Sequence, residues 1–591
     1  VRNMLRSMCH KRTPCSVLRC LSLRSKTWTT NGKLTEGKRK IFFNADQQPT
    51  VEKLVIPAVK QENFVLLHGP RSSGKSTLLN VAASKLAEDF TLVFADFQRV
   101  TLDEGKNVFW DTFGRELVRN NNFLPPISTA SDFIDTFTKS NWKKMAKVSP
   151  DKSVILIIDE FDELYSQSDS ATQGSLLGAL RGMKQDRNLF SLQSFFGIGT
   201  FSILKLTGGN GSPFSVRDAI QCPPLSEEQV ETLFKEYADY SGKEIDSNVI
   251  SDIYYRSGGH AGSVSFFGKL IDEQKHISNV RQLTTDIWQN IVVTGTIQGR
   301  LIEWLPMRKM IDTLSLPYTA NFGAATQSAR LISQIEKANQ ILYNYFLTSN
   351  MEDSIKPDDI ITQQLCEFLA SEGAILYCGD DNFKPRSPLV QSIIVKKLLP
   401  HMKHNLIQGP VPLVNGYLDI PTMLSIMIKH WDREWVIEAG DVSCKLSRAN
   451  GVGRDVFAPR EEVYRLNFVY HLKTWLPKSF AVYTEVKVRS EQKKKDLSAD
   501  VFVVSKKERI LFELVAHTGR NDVEEHINRA KVYAKALKAT STYVLHFTTS
   551  PKIEEYPFSL ENDEVSVLHV QHSPSFDVIK LYQHKEEEPV S

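Results

Sequence analysis

Short, continuously apolar runs alternate with segments of helical period from about residue 50: ENFVLLHG, LLNVAASKL, TLVFADF, a long helical region, SVILIIDE, a further helix and SFFGIGTF. A strand covered on both faces needs no polar alternation, so such runs separated by helices predict a parallel sheet between helical layers. The pattern places an α/β core over 46–224. Residues 225–290 then turn helical, through LSEEQVETLFKEYADY and DSNVISDIYYRSGGHAGSVSFFGKLID. Ser226, with Glu228 and Gln229 close behind, reads as the N-cap of a helical lid.

A mostly helical stretch over 291–420 ends in LCEFLASEGAILYCGDDNFKPRSPLVQSIIVKKLL. Its order of helix, hairpin and helix is that of a winged helix; a plain helical spacer stays equally open. Past Pro410, Pro412 and Pro421 the pattern changes to EEVYRLNFVYHLKTWL, FAVYTEVKV, SADVFVV, ILFELVAHT, VEEHINRAKVYAKAL and STYVLHF. These predict a second α/β unit over 421–580, followed by an acidic tail over 581–591.

Composition permits this size: 591 residues with 41% hydrophobic and 24% charged positions can bury several cores. No apolar run approaches the roughly 18 residues of a membrane helix, so no membrane partner is expected. The seven cysteines show no C-x-x-C spacing, and neither a zinc site nor a disulfide framework follows. The net charge of 72 − 69 = +3 hides a partition. Residues 1–40 carry eleven Lys/Arg against one acid, 41–450 carry 40 against 47, 451–540 carry 18 against 12, and 541–591 carry 3 against 9. The first 45 residues read as an unstructured basic arm. A mitochondrial presequence, a nuclear or nucleic-acid patch and a solvated tail all give that count.

Two motifs carry chemistry in the first unit. Gly69, Pro70, Arg71, Ser72, Ser73, Gly74, Lys75 and Ser76 fit G-x-x-x-x-G-K-[ST] between an apolar strand and a helix starting near Thr77. Backbone N–H groups of such a loop wrap a phosphate, Lys75 neutralises its oxygens, and the Ser76 hydroxyl ligates Mg²⁺. The expected cofactors are ATP or GTP with Mg²⁺. Eighty-four residues beyond Lys75, the strand VILII ends in Asp159, expected to hold Mg²⁺, and Glu160, expected to polarise the attacking water. Asp162 and Glu163 read as a solvated helix start. Thr200 is a candidate γ-phosphate sensor, and Arg217 a candidate for the transition-state charge with a surface salt bridge as its equal. Ser257-Gly258-Gly259-His260-Ala261-Gly262 is similar to the glycine-rich lid turn of signal-transduction ATPases, with Ala261 in place of the usual proline.

The last unit carries the second chemistry. A hairpin turning on Ser505-Lys506-Lys507-Glu508 places Asp500 opposite Glu513, since their numbers share one register sum. Glu485 and Lys487 lie on the preceding strand. Carboxylates and a lysine on adjacent strands can bind Mg²⁺ and activate water against a phosphodiester. The order helix, strand, Asp-strand, Glu-strand, helix, strand matches the PD-(D/E)xK nuclease core, with Asp500 and Glu513 as metal ligands. The E-x-K lysine position is Val515, which leaves Lys487 as the candidate cation. Asn467 stands where that core often has a helix glutamate, with Glu462 as a substitute. Lys493, Lys494 and Lys495 are candidates for phosphate-backbone contact. His517, Asn521 and His526 follow the residue order of an HNH nuclease, with compressed spacing.

A P-loop NTPase followed by SADVFV, ILFELVAHTGRNDVEEHI and its Glu524-Glu525-His526-Ile527 helix resembles the Crinkler effectors and the related retrotransposon hot spot proteins, over roughly residues 50–550. The resemblance implies a secreted effector that acts on DNA in a host nucleus and causes damage there, with His526 in the catalytic set. Nucleoside triphosphate and DNA, or RNA, are the expected partners; homo-oligomerisation stays open. The alternative is a signal-transduction NTPase switch with a non-catalytic C-terminal binding domain.

Overall fold

The computed structural model describes residues 26–30, 48–145, 151–207, 212–214, 219–273, 281–293, 296–319, 326–349, 351–402, 406–442, 444–447, 456–477, 479–488, 497–559 and 564–583. The expected parallel sheet is present. Strands β1 (Phe64–His68), β2 (Thr91–Asp96), β3 (Val154–Asp159), β4 (Leu192–Gly199) and β5 (Ala219–Gln221) pair in the order β2-β3-β4-β1-β5, all parallel. Side chains of a strand alternate between faces, and each apolar run therefore feeds two cores. Phe64 and Leu66 of β1 and Val154, Leu156 and Ile158 of β3 pack on one side with α2 (Lys106–Asn120). Val65, Leu67, Ile155 and Ile157 pack on the other with Leu78 and Leu79 of α1 (Lys75–Leu86).

Beyond the sheet, α3 (Glu227–Ser241), α4 (Ser247–Ser257) and α5 (Ala261–Glu273) form the helical segment. Ser226 caps α3 through a complete capping box with Gln229. Further along, α6 (Ile360–Glu372), the antiparallel hairpin β6 (Ile375–Gly379) and β7 (Asn382–Pro385), and α7 (Pro388–Lys397) follow in the winged-helix order. The C-terminal unit is a six-stranded mixed sheet with β8 (Ala481–Val488), β9 (Leu497–Val504), β10 (Arg509–Ala516), β11 (Ser541–Thr548), β12 (Val565–His572) and β13 (Ile579–Tyr582) in sequential order. β8 to β10 form an antiparallel meander, and β10, β11 and β12 run parallel. α8 (Glu461–Trp475) precedes the sheet, and α9 (Arg520–Leu537) crosses from β10 to β11.

Packing joins the pieces unevenly. Buried side chains of α3 to α5, of the helix–hairpin–helix segment and of the C-terminal sheet belong to one continuous hydrophobic cluster. The arm differs from the expectation of disorder at one point, because Trp28 is buried in that cluster against Phe234 and Tyr237. A Cβ on Gly268 would lie 2.4 Å from its ring, so the glycine makes the indole's seat. The arm on either side of 26–30 and the acidic tail from 584 onward lie outside the described residues. Among the described residues no helix is long and apolar enough to cross a membrane.

Candidate active site

The loop between β1 and α1 is shaped by two left-handed residues, Ser72 (φ 61°) and Gly74 (φ 94°). Gly74 is the residue before α1, so the first free N–H groups of that helix open toward the loop. Lys75 is held back over the loop, its Nζ donating to the carbonyls of Gly69 (3.0 Å) and Pro70 (2.9 Å). Burial pushes its ammonium below the usual lysine range, against the pull of Cys222, Glu160, Asp162 and Asp159. Ser73 and Thr77 are buried in the loop's support, whereas Pro70, Arg71, Ser72 and Ser76 are half-buried.

Because β4 lies between β1 and β3, the acids that end β3 face the loop across one strand. Glu160 sits at φ 53°, and its Oε1 accepts a hydrogen bond from Gln98 Nε2 at 3.2 Å. Burial first, then the charges of Asp162 and Asp159, raise its carboxyl to about 7, opposed by Lys75 and Arg71. A carboxylate poised near neutrality beside a buried cation suits proton transfer from an attacking water. ATP and Mg²⁺ fit this donor set: a left-handed glycine before a helix N-terminus and Lys75 for the phosphates, and the Ser76 hydroxyl and Asp159 as hard oxygen ligands.

Asp162 departs from the sequence reading. It is buried, and its Oδ2 accepts from the Thr200 backbone N–H (3.0 Å), the Thr200 hydroxyl (2.5 Å) and the Ser202 hydroxyl (3.3 Å). A Cβ on Gly199 would fall 2.5 Å from Asp162 Oδ1, so the glycine at the end of β4 admits this carboxylate. Thr200 is therefore oriented by Asp162. Arg217 lies outside the described residues.

The turn Ser257–Gly262 seats directly on the phosphate loop. His260 is buried between Arg71 O (2.9 Å from Nε2) and Ser263 Oγ (3.0 Å from Nδ1), and the Gly262 N–H donates to Ser72 O at 3.0 Å. Gly259 (φ 69°) could not carry a side chain, for a Cβ there would lie 2.2 Å from Leu225 O. Burial first, then Arg386, hold the His260 imidazole well below its usual range and so neutral. The turn thus works without the proline, because glycine conformations and a neutral histidine supply the contact.

In the C-terminal sheet, β9 and β10 pair in the expected register, with Val501 opposite Phe512 and the same sum bringing Asp500 to Glu513. Asp500 Oδ2 accepts the Leu514 N–H at 2.7 Å. Glu513 is fully buried; its Oε1 meets His526 Nδ1 (3.1 Å) and Arg529 Nη2 (3.2 Å), and its carboxyl also hydrogen-bonds with the Asp500 carboxyl. Burial, then the charge of Glu513, pushes Asp500 up to about 8; burial likewise raises Glu513 to about 8, against the pull of Arg529.

The helix acid at this site is Glu461, not Glu462. Burial and then Asp500 push Glu461 up to about 8. Val515 packs with Val523 and Ile527 of α9, and the side chains reaching Glu513 come from α9: His526, expected in the catalytic set and held below its usual range by burial, and Arg529, which the sequence reading missed. Lys487 stands opposite Ser498 in the β8–β9 register; its side chain and Glu485's lie outside the described residues, as do Lys493, Lys494 and Lys495. The HNH order is not assembled. His517 Nε2 bonds to the Tyr464 hydroxyl at 2.6 Å, His526 turns to Glu513, and Asn521 is exposed. His526 also lies in the second turn of α9, which starts at Arg520. Among the described residues no group of three or more His, Cys, Asp or Glu side chains is placed to hold one metal ion. Asp500 and Glu513 thus supply a two-carboxylate edge rather than a closed cage.

Residues 65–200 match the family model described as the ATPase family associated with various cellular activities (AAA). That segment is an AAA-type P-loop ATPase domain. No curated protein matches the chain. Among solved structures, the chain is similar to the Walker-type ATPase PABY2304 of Pyrococcus abyssi, at 16% identity and a TM-score of 0.36, covering 62% of this chain and 98% of that one. The ORC2 protein of Aeropyrum pernix matches at 16% identity and a TM-score of 0.35, covering 60% and 95%. The Thermotoga maritima RuvB Holliday junction branch migration motor matches at 16% identity and a TM-score of 0.30, covering 53% and 85%.

Proposed function

We propose that this chain is an ATP-hydrolysing switch whose C-terminal domain is a metal-dependent nuclease, with DNA as the favoured substrate and a Crinkler-like effector in a host nucleus as the setting. The AAA-type domain supplies the hydrolytic half. One observation carries the nuclease half: two carboxyls, Asp500 and Glu513, are side by side on adjacent strands, with Glu461 near enough for the Asp500 charge to raise it. Buried like charges are costly unless protonated or shared with a cation. The Lys/Arg excess of residues 451–540 favours a polyanion as the ligand. The secreted, nuclear setting rests on the resemblance of the C-terminal motif alone.

A second reading is supported by Arg529 and His526, which already engage Glu513. In it the C-terminal unit binds nucleic acid or a protein and cuts nothing. The two separate in one assay: supercoiled plasmid with Mg²⁺ or Mn²⁺, with and without ATP, using wild type, Asp500→Asn and Lys75→Ala. The nuclease reading expects wild type to nick, Asp500→Asn to lose at least a hundredfold, and Lys75→Ala to remove any ATP dependence. Wild type that leaves plasmid and single strands intact with either metal leaves only the binding reading.

A further inference from the structure

Residues 26–30 occupy the lid as a short peptide would. Lys26 and Trp28, two positions apart, both reach α3. The Lys26 ammonium pairs with Glu236, and its backbone N–H donates to the Tyr240 hydroxyl at 2.8 Å, 214 residues away in sequence. The Trp28 ring lies 5.2 Å from Phe234 and 5.4 Å from Tyr237, centroid to centroid. The opposite wall is α5, where a Cβ on Gly268 would fall 2.4 Å from the indole. Glycine inside a helix costs stability against alanine, so its place against Trp28 marks a seat shaped for an aromatic ring.

The same segment touches the wall that leads to the nucleotide site. Trp304, buried just after the helix Thr296–Glu303, donates its indole N–H to the Thr30 carbonyl at 3.3 Å. Its ring faces His260 at 6.2 Å, and a Cβ on Gly262 would lie 2.8 Å from its Cζ2. His260 and Gly262 are the residues that grip the phosphate loop, at the carbonyls of Arg71 and Ser72. One line of contacts therefore runs from Thr30 through Trp304 and the lid turn to the loop. A coupling between two sites is reciprocal, so whatever orders one end favours order at the other.

We infer that residues 26–30 are an intramolecular latch, a Lys-x-Trp peptide that the lid binds in cis. Its docking holds the lid turn against the phosphate loop, and ATP binding and arm docking strengthen each other. The groove between α3 and α5 is thereby a peptide site selective for an aromatic ring two residues after a cation. The inference rests on ATP occupying the 69–76 loop.

The test uses the full chain. Hydrogen exchange of the wild type with and without ATP and Mg²⁺ reads residues 26–30, and the dissociation constant of a fluorescent ATP analogue is measured for wild type, Trp28→Ala, Gly268→Ala and Lys75→Ala. ATP is expected to slow exchange in 26–30 severalfold. Trp28→Ala and Gly268→Ala are each expected to bind the analogue at least about fivefold more weakly, the lower end of ordinary coupling between sites. A synthetic peptide of residues 24–32, added to Trp28→Ala, should recover most of that loss, and the same peptide carrying Trp28→Ala should recover none. Unchanged exchange of 26–30 in saturating ATP overturns the inference, as does a folded Trp28→Ala protein that binds within twofold of wild type, because the tryptophan is then core packing alone. A wild-type peptide without effect does likewise. Unimpaired binding by Lys75→Ala instead places the fault in assigning nucleotide to this loop.

Discussion

Two buried polar groups set the expectations at the residue scale. Asp162 satisfies both the N–H and the hydroxyl of Thr200, so Asp162→Ala strands a buried donor at a cost of about 1–3 kcal/mol. The variant should melt lower and hydrolyse ATP at least tenfold more slowly, because Thr200 loses its orientation; wild-type turnover would remove Thr200 from the mechanism. In the C-terminal unit, His572 Nδ1 donates to Ser573 O at 2.8 Å, which leaves Nε2 to accept from Tyr464 at 2.9 Å. Burial lowers the imidazole of His572 to about 4. The unfolded chain then binds this proton at higher pH than the folded one, so its contribution is intact above about pH 6.5 and shrinks as pH falls toward 4. Between pH 7 and pH 5, wild type should lose about 2 kcal/mol relative to His572→Gln. Parallel unfolding free energies of the two proteins over that range would contradict this. Neither environment was legible in sequence: Asp162 stands in an acidic run that reads as solvated, and its partner Thr200 arrives from 38 residues away.

Local pattern proved informative for elements in proportion to how far their contacts are local. The β1 loop and the β3 acids were readable, because a glycine-rich turn between strand and helix and a charged strand end are fixed by neighbours in sequence. The Asp500–Glu513 pairing was readable too, since a tight hairpin sets its register by counting. Helix phase was less accessible. α8 begins at Glu461, and a shift of one residue rotates the reading by about 100°, enough to exchange Glu461 for Glu462. The lid turn shows the same limit, for its glycines were evident but the surface they fit was not. Gly262→Ala would bring a Cβ to 2.8 Å from Ser72 Cβ and from Trp304 Cζ2, an overlap that costs about 1–3 kcal/mol. It should weaken ATP binding severalfold while the C-terminal sheet stays folded, which circular dichroism and nucleotide titration would check together. Unchanged affinity would mean that the turn rests on the loop without supporting it.

Across the whole molecule, the seam between cores does not follow the nucleotide site. The parallel sheet owns two hydrophobic clusters, while the lid helices pack with the hairpin and the C-terminal sheet. ATP thus binds at a boundary, and its state can reach the C-terminal unit only through side chains that cross it. Phe201 is the clearest of these. It directly follows Thr200, yet it is buried in the larger cluster, with ring centroids 4.8 Å from Tyr377 and 6.2 Å from Phe383 on the hairpin β6–β7. A movement of Thr200 on nucleotide binding therefore presses on the hairpin that ends in Arg386. Hydrogen exchange of the full chain should show ATP slowing exchange in residues 375–385 of the wild type, since a ligand stabilises whatever it orders. Phe201→Ala leaves Lys75, Asp159 and Glu160 in place, so it should still bind ATP, but the protection of 375–385 should shrink severalfold. Full protection in a folded Phe201→Ala protein would show that the signal crosses the boundary elsewhere, with the His260 turn as the remaining route.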